Sequence, residues 1–200
     1  ARQAVASVAA TMESVRGSDE PYSVFGVLRM LNSGEATFIG YDIPGAVLMG
    51  TRHASVLPSR PVTLGAVTVM ESHCHLVPGE GILLVSDGVT QAGLGTRELK
   101  LGWRREGLIH FALERLKASP TLSSRELAEA VVREARNKEV SSQPQDDIPC
   151  AALYFRKPRM TLIFTGPPYL QTRDAECANT LERFKGKKII CGGTTANLVS

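Results

Sequence analysis

The sequence predicts an α+β fold built on antiparallel sheet. Three observations carry this: β-rich runs follow one another from Tyr22 to Ser86 with no helix between them, two marked helices come after residue 103, and strand and helix alternate beyond Lys157-Pro158. Strands that follow each other through short turns pair antiparallel, whereas parallel pairing needs a crossover.

At the N-terminus, Val5, Val8, Ala9, Met12 and Val15 recur at helical spacing and predict a helix with one apolar face, broken by Gly17-Ser18-Asp19-Glu20-Pro21. Tyr22 to Met30 and Glu35 to Tyr41 then read as strands, and Asn32-Ser33-Gly34 joins them as a hairpin. Further strands are expected at about Ala46 to Met49, Ser55 to Leu57, Val67 to Leu76 and Gly81 to Ser86, with Pro78-Gly79 as a turn. The first later helix covers about Arg104 to Lys117, with Leu108, Phe111, Ala112 and Leu116 on one side. Ser123 and Glu126 have capping-box spacing and Leu122 and Leu127 occupy staple positions, so the second helix starts at Ser124 and runs to about Asn137. A Ser/Gln/Pro linker leads into Asp146-Asp147 and a strand beginning at Cys150.

Beyond residue 157 the expected order is strand Met160 to Phe164, turn Thr165-Gly166-Pro167-Pro168, helix Asp174 to Phe184 and strand Lys188 to Cys191. Gly192-Gly193-Thr194-Thr195 then turns into the first residues of a helix at Ala196 to Ser200. The domain division is therefore 1–157 and 158–200, the second part being too short to close a core of its own.

With 43% hydrophobic and 22% charged residues, the 200-residue chain has the composition of an ordinary globular protein. It shows neither a long apolar run nor a signal-peptide pattern, so neither a membrane span nor export is expected. A net charge of +3 does not call for a nucleic-acid partner. Arg97, Lys100, Arg104 and Arg105 cluster, and read either as a solvated face or as a surface meeting a phosphorylated substrate. Cys74, Cys150, Cys177 and Cys191 lack Cys-x-x-Cys spacing and read as reduced thiols of a cytoplasmic protein.

The chemistry points to strand ends. Ile82-Leu83-Leu84-Val85-Ser86 is a buried-strand run that stops on Asp87-Gly88, and Asp146-Asp147 stands just before the strand at Cys150. Two acidic turns at strand ends suit Mg²⁺ or Mn²⁺, hard ions that take oxygen ligands and keep waters. Asp-Gly is also a common turn signal, and Asp146-Asp147 also reads as a solvated loop. His73 and His75 share a strand face without further ligands at zinc spacing, and are expected to face solvent. Ser86 lacks a Gly-x-Ser-x-Gly elbow, and Trp103 reads as a packing anchor. Gly192, Gly193, Thr194 and Thr195 form a candidate anion-binding turn, with a simple capped turn as the alternative.

In combination, Leu83-Leu84-Val85-Ser86-Asp87-Gly88-Val89-Thr90, Pro144-Gln145-Asp146-Asp147-Ile148 and the upstream Tyr41-Asp42-Ile43-Pro44-Gly45 segment resemble the SpoIIE-type branch of the metal-dependent (type 2C, PPM) protein serine/threonine phosphatases. Gly93-Leu94-Gly95, Leu101-Gly102-Trp103, Phe164-Thr165-Gly166 and Cys191-Gly192-Gly193 are similar to a bacterial subgroup with an extra C-terminal region. The resemblance covers about residues 1–157 and implies an αββα sandwich of antiparallel sheets, here partial, followed by a βα segment. It implies that Asp87, with Gly88 after it, and Asp146 hold metal, with Asp147 as an outer or weaker ligand. Two Mn²⁺ or Mg²⁺ ions are expected in the complete domain, and the nucleophile is water activated by them, so no catalytic residue is needed beyond the ligands.

The substrate implied is phosphoserine or phosphothreonine in a bacterial regulatory phosphoprotein. Pro149 stands where the family usually has Thr, and Asp42-Ile43-Pro44-Gly45 stands for its Gly-His/Asn-Pro-Pro segment. The family's N-terminal Gly-Asp and Asp-Gly-x-Gly motifs, source of the metal-bridging aspartate, have no counterpart here. Two alternatives follow: a non-catalytic regulatory module, or an anion-binding domain that accounts for the tail alone. Lacking the bridging acid, residues 1–200 by themselves are expected to bind Mn²⁺ weakly, to release little phosphate and to form a homo-oligomer through bared sheet edges. Calorimetric titration with Mn²⁺ and a phosphopeptide assay check this, and tight two-site binding with robust turnover would place the ligands elsewhere.

Overall fold

Period-two alternation decides how the strands stack, because a strand buried on both faces must satisfy two different cores. The computed structural model describes residues 2–15, 24–65, 67–140, 144, 146–193, 195 and 196. The chain divides into two compact units, Ala1–Arg156 and Lys157–Ser200. The first runs α1 (Arg2–Val15), β1 (Phe25–Met30), β2 (Glu35–Tyr41), β3 (Val47–Met49), β4 (Ala54–Val56), β5 (Ser59–Leu64), β6 (Val67–His75), β7 (Gly81–Val85), α2 (Asp87–Gln91), α3 (Arg104–Ala118), α4 (Ser124–Lys138) and β8 (Cys150–Tyr154). Its strands form two antiparallel sheets, ordered β1-β2-β6-β5 and β4-β3-β7-β8.

On β7, Ile82 and Leu84 join Ala36, Phe38 and Leu76 in a core between the sheets, whereas Leu83 and Val85 join Leu108, Ala112, Leu127 and Val131 beneath α3 and α4. On β2, Phe38 faces the inter-sheet core, while Ile39 and Tyr41 turn outward to Val5 of α1. The layers are therefore helix, sheet, sheet, helices, with β7 in the middle of the second sheet. Each large side chain fully buried in these cores contributes about 1.5–3 kcal/mol of transfer free energy.

Local signals place the helices as expected. The Ser123 hydroxyl accepts from Glu126 N at 3.2 Å and the Glu126 carboxylate accepts from Ser123 N at 2.8 Å, closing the capping box that starts α4. The β1–β2 hairpin turns at Gly34, whose φ of +96° suits glycine. Both helices, α3 and α4, run one residue past their expected ends, and β4 begins one residue earlier.

Two elements depart from the sequence expectation. Pro61 hid strand β5, since proline cannot donate to a ladder; β5 lies at the edge of its sheet, where one side needs no donors. Asp87-Gly88, expected as a turn, opens the one-turn helix α2. The Gly17–Pro21 break, the first residues of the Tyr22 strand, most of the Ser/Gln/Pro linker and the last four residues of the tail lie outside the described residues.

In the second unit β9 (Thr161–Phe164) and β10 (Lys187–Ile190) pair parallel, with a 3-10 turn at Gln171–Arg173 and α5 (Asp174–Arg183) between them. This is the crossover that a parallel pair requires. Leu181 of α5 is buried.

Helix α1 is held by charge as much as by apolar contact: Val5 is buried, but Val8 of the expected apolar face is exposed. The side chains of Ala9, Met12 and Val15 lie outside the described residues. Arg2 donates two hydrogen bonds to the buried Glu71 carboxylate, at 2.8 and 2.7 Å, Arg60 adds one at 3.1 Å, and His73 Nε2 lies 3.2 Å away. The Arg2 hydrogen bond, helped by those of His73 and Arg60, outweighs burial and holds the Glu71 carboxyl at about 2. A folded pKa below the ordinary 4.5 means that the network stabilises fully above that pH and its contribution is lost as pH falls towards 2. Glu71→Gln should therefore melt at lower temperature than the parent at neutral pH, and the two should converge on acidification through that window, as circular dichroism melts at stepped pH would show.

Candidate functional site

The register of β7 on β8 brings the two acidic turns together. Val85 pairs with Cys150, so the chain leaving β7 at Ser86-Asp87 and the chain arriving at β8 through Asp146-Asp147-Ile148-Pro149 emerge at one end of the same strand pair. Ser86 Oγ donates to the Asp147 carbonyl at 2.8 Å, and Ser86 N reaches the Pro149 carbonyl at 3.4 Å. Ser86 occupies the N-cap of α2 without capping it, because its hydroxyl is committed to the opposite loop. Gly88 lies against the same Asp147 carbonyl so closely that a Cβ there would collide with it, and the Asp146 Cβ would be 3.4 Å away.

Each loop is also fixed internally. Asp146 Oδ1 accepts from Asp147 N at 2.7 Å, a bond between adjacent residues that fixes the Asp146 side chain against its own loop. Ile148 is buried in the core under α3 and α4, which anchors the loop from the other side. Thr90 Oγ1 donates to the Asp87 carbonyl at 3.0 Å across the single turn of α2. Asp87 is half-buried, and Asp146 and Asp147 are exposed.

The donors are carboxylate oxygens, the type that suits Mg²⁺ or Mn²⁺. Burial pushes the neighbouring Cys150 thiol up to about 12, so it stays protonated and offers no thiolate to a softer metal or to a substrate. Among the described residues no three His, Cys, Asp or Glu side chains converge as a metal cluster. The structure thus joins the loops bearing Asp87, Gly88, Asp146 and Asp147 without closing their carboxylates into a complete ligand set.

The remaining candidates are placed as follows. Gly192 and Gly193 are exposed, Gly192 has φ +97° and accepts from Ala196 N at 3.0 Å, and Thr195 is buried. Thr194 lies outside the described residues. His73 and His75 are exposed, and His73 sits 3.1 Å from Thr37 Oγ1. Trp103 is buried edge-on to Phe111 with the Lys138 ammonium 5.1 Å from its ring centroid. Arg97, Lys100, Arg104 and Arg105 are all exposed. Sequence reasoning missed the Ser86 bridge and a groove of about 270 Å³ beyond α2, lined by Pro44, Thr90, Gln91, Leu101 and the start of α3.

Residues 2–156 match the profile of the family described as Stage II sporulation protein E (SpoIIE). The chain belongs to the SpoIIE family. Its fold is shared with the phosphatase domain of the cell fate determinant SpoIIE from Bacillus subtilis, in a Mn-presoaked form, at a TM-score of 0.56 and 15% identity over 80% of this chain and 68% of that one. The RsbU and RsbW domains of Rv1364c from Mycobacterium tuberculosis superpose at a TM-score of 0.60 and 17% identity, over 88% of this chain and 48% of that one. The B. subtilis domain in a crystal form without domain swapping gives a TM-score of 0.53 and 15% identity over 84% and 70%. No curated protein matches the sequence significantly. The SpoIIE-type unit shares the fold of these phosphatase-domain structures.

The contact of Gly88 with the Asp147 carbonyl makes a direct forecast for this SpoIIE-type domain. Gly88→Ala should push the two loops apart and cost about 1–3 kcal/mol, the usual range for overpacking. Urea unfolding measures it, and a loss below about 0.5 kcal/mol, ordinary for a surface substitution, would mean that the loops are not packed this way.

Proposed function

We propose that this SpoIIE-type domain hydrolyses phosphoserine or phosphothreonine in a bacterial regulatory phosphoprotein, with Mn²⁺ or Mg²⁺ as cofactor. The observation that carries the reading is the pair of acidic turns locked together at the end of β7 and β8 by Ser86 and Gly88. Asp87 and Asp146 would hold metal, with Asp147 as an outer or weaker ligand, and Gly88 keeps the loops close. The metal, when bound, supplies Lewis-acid compensation of phosphoryl charge and acidifies water for attack.

The chain's own part is positioning. Ser86 couples the β7 turn to the β8 turn, Ile148 anchors the latter in the core, and the exposure of Asp146 and Asp147 leaves the place open to a phosphate carried on another protein. The Mn-presoaked B. subtilis domain supports manganese as the ion. Four free cysteines support a reducing, cytoplasmic setting, and among the described residues no helix is long and apolar enough to cross a membrane. The second reading, a non-catalytic regulatory module, draws on the absence of a converged metal cluster among the described residues.

Asp87→Asn separates the two. In full-length protein the variant should keep its circular dichroism spectrum while Mn²⁺-dependent phosphate release from a phosphopeptide drops by more than about 100-fold, the upper end of what losing an outer-shell partner costs. Activity within a few-fold of the parent would remove Asp87 from the site.

A further inference from the structure

The groove beyond α2 is charged on one side and begins one turn along that helix from Asp87. Thr90 and Gln91 line it from α2, three and four residues past Asp87, hence about 5 Å along the same helix. Pro44 lines it from the β2–β3 connection, and Arg104, Arg105 and Glu106 line it from the start of α3. Arg104 pairs with Glu106 at 3.4 Å, both more than half exposed. Arg105 has no carboxylate partner among the described residues, and its Nη1 extends over Gly45, 3.7 Å from where a Cβ would stand. The lining therefore carries a net positive charge in which one guanidinium is uncommitted.

The backbone on both sides of this groove is unusual. Among the described residues only Asp42 and Arg104 are non-glycine residues with left-handed φ, +48° and +63°. Asp42 stands two residues before Pro44, and Arg104 is itself in the lining. Such conformations persist only where the surroundings impose them, and they concentrate at ligand-binding places.

We propose that this groove is a docking subsite for an acidic side chain of the substrate protein, about two residues along the chain from the phosphorylated Ser or Thr. The inference rests on the phosphatase reading, which puts the phosphate at Asp87 and Asp146. An extended chain advances about 3.3 Å per residue, so two residues cover about the length of the helical rise from Asp87 to Thr90 and Gln91 at the edge of the groove. There Arg105, and Arg104 in exchange for Glu106, meet its carboxylate. Charge complementarity of this kind sets partner choice and salt dependence more than bulk affinity.

The test uses the full-length protein and labelled phosphoserine peptides alike except for aspartate, asparagine or lysine flanking the phosphoserine. Fluorescence anisotropy with Mn²⁺ present should show the aspartate peptide binding about two- to fivefold tighter than the asparagine one, as expected for exposed charge pairs. The preference should shrink as salt is raised. Arg105→Gln should abolish most of it, and the Arg104→Glu/Arg105→Glu double variant, checked for its fold by circular dichroism, should turn it towards the lysine peptide. Equal binding of all three peptides, or a preference that neither variant moves, would overturn the subsite. Phosphate release read in parallel keeps the two readings apart: turnover without flank preference sinks the subsite alone, and flank preference without turnover sinks the phosphatase reading alone.

Discussion

The pairing of β7 with β8 is the constraint on which the site depends. Asp87 and Asp146 are far apart along the chain, and only the register that sets Val85 opposite Cys150 delivers both to one end of a sheet. Backbone pairing alone would leave two independent loops. The Ser86 hydroxyl on the Asp147 carbonyl, and the lack of a side chain at Gly88, turn them into one body. A sheet buried on both faces holds that body still, because a slip of one residue would exchange the Ile82 and Leu83 faces between two cores.

The same logic runs outward through the layers. Leu83 and Val85 bind β7 to α3 and α4, Ile148 carries the acidic loop into that core, and Trp103 closes it where the chain enters α3. That entrance is also where Arg104 and Arg105 face the groove, so packing beneath the second sheet orients cations above it. On the far side of the sandwich, α1 rests on Val5 and on the Glu71 cluster. A buried carboxylate there is tolerable because Arg2, Arg60 and His73 surround it.

Much of the fold was legible because it depends on local chemistry. The capping box at Ser123 and Glu126, the hairpin at Asn32-Ser33-Gly34 and the helical spacing of Leu108, Ala112 and Leu116 each act within a few residues, and each element formed where expected. Strand β5 was hidden because a proline is disfavoured in a strand in general, yet harmless at an edge, and only the sheet order defines an edge. The Glu71 cluster was equally hidden, since Arg2, Arg60 and His73 meet it through three different elements.

By itself the sequence determined the element types other than β5 and α2, the antiparallel class of the first unit, the acidic residues at two strand ends and the family to which they belong. Those properties reside in short words of residues, where backbone preference and side-chain period act locally. Tertiary structure alone decided that Ser86 would bridge to Asp147 rather than cap its own helix, that Gly88 would have no room for a methyl, and that Pro44, Thr90 and Arg105 would share one groove. Each of these is a contact between segments separated by tens of residues. Its distance is set by sheet register and core packing, which no local pattern encodes.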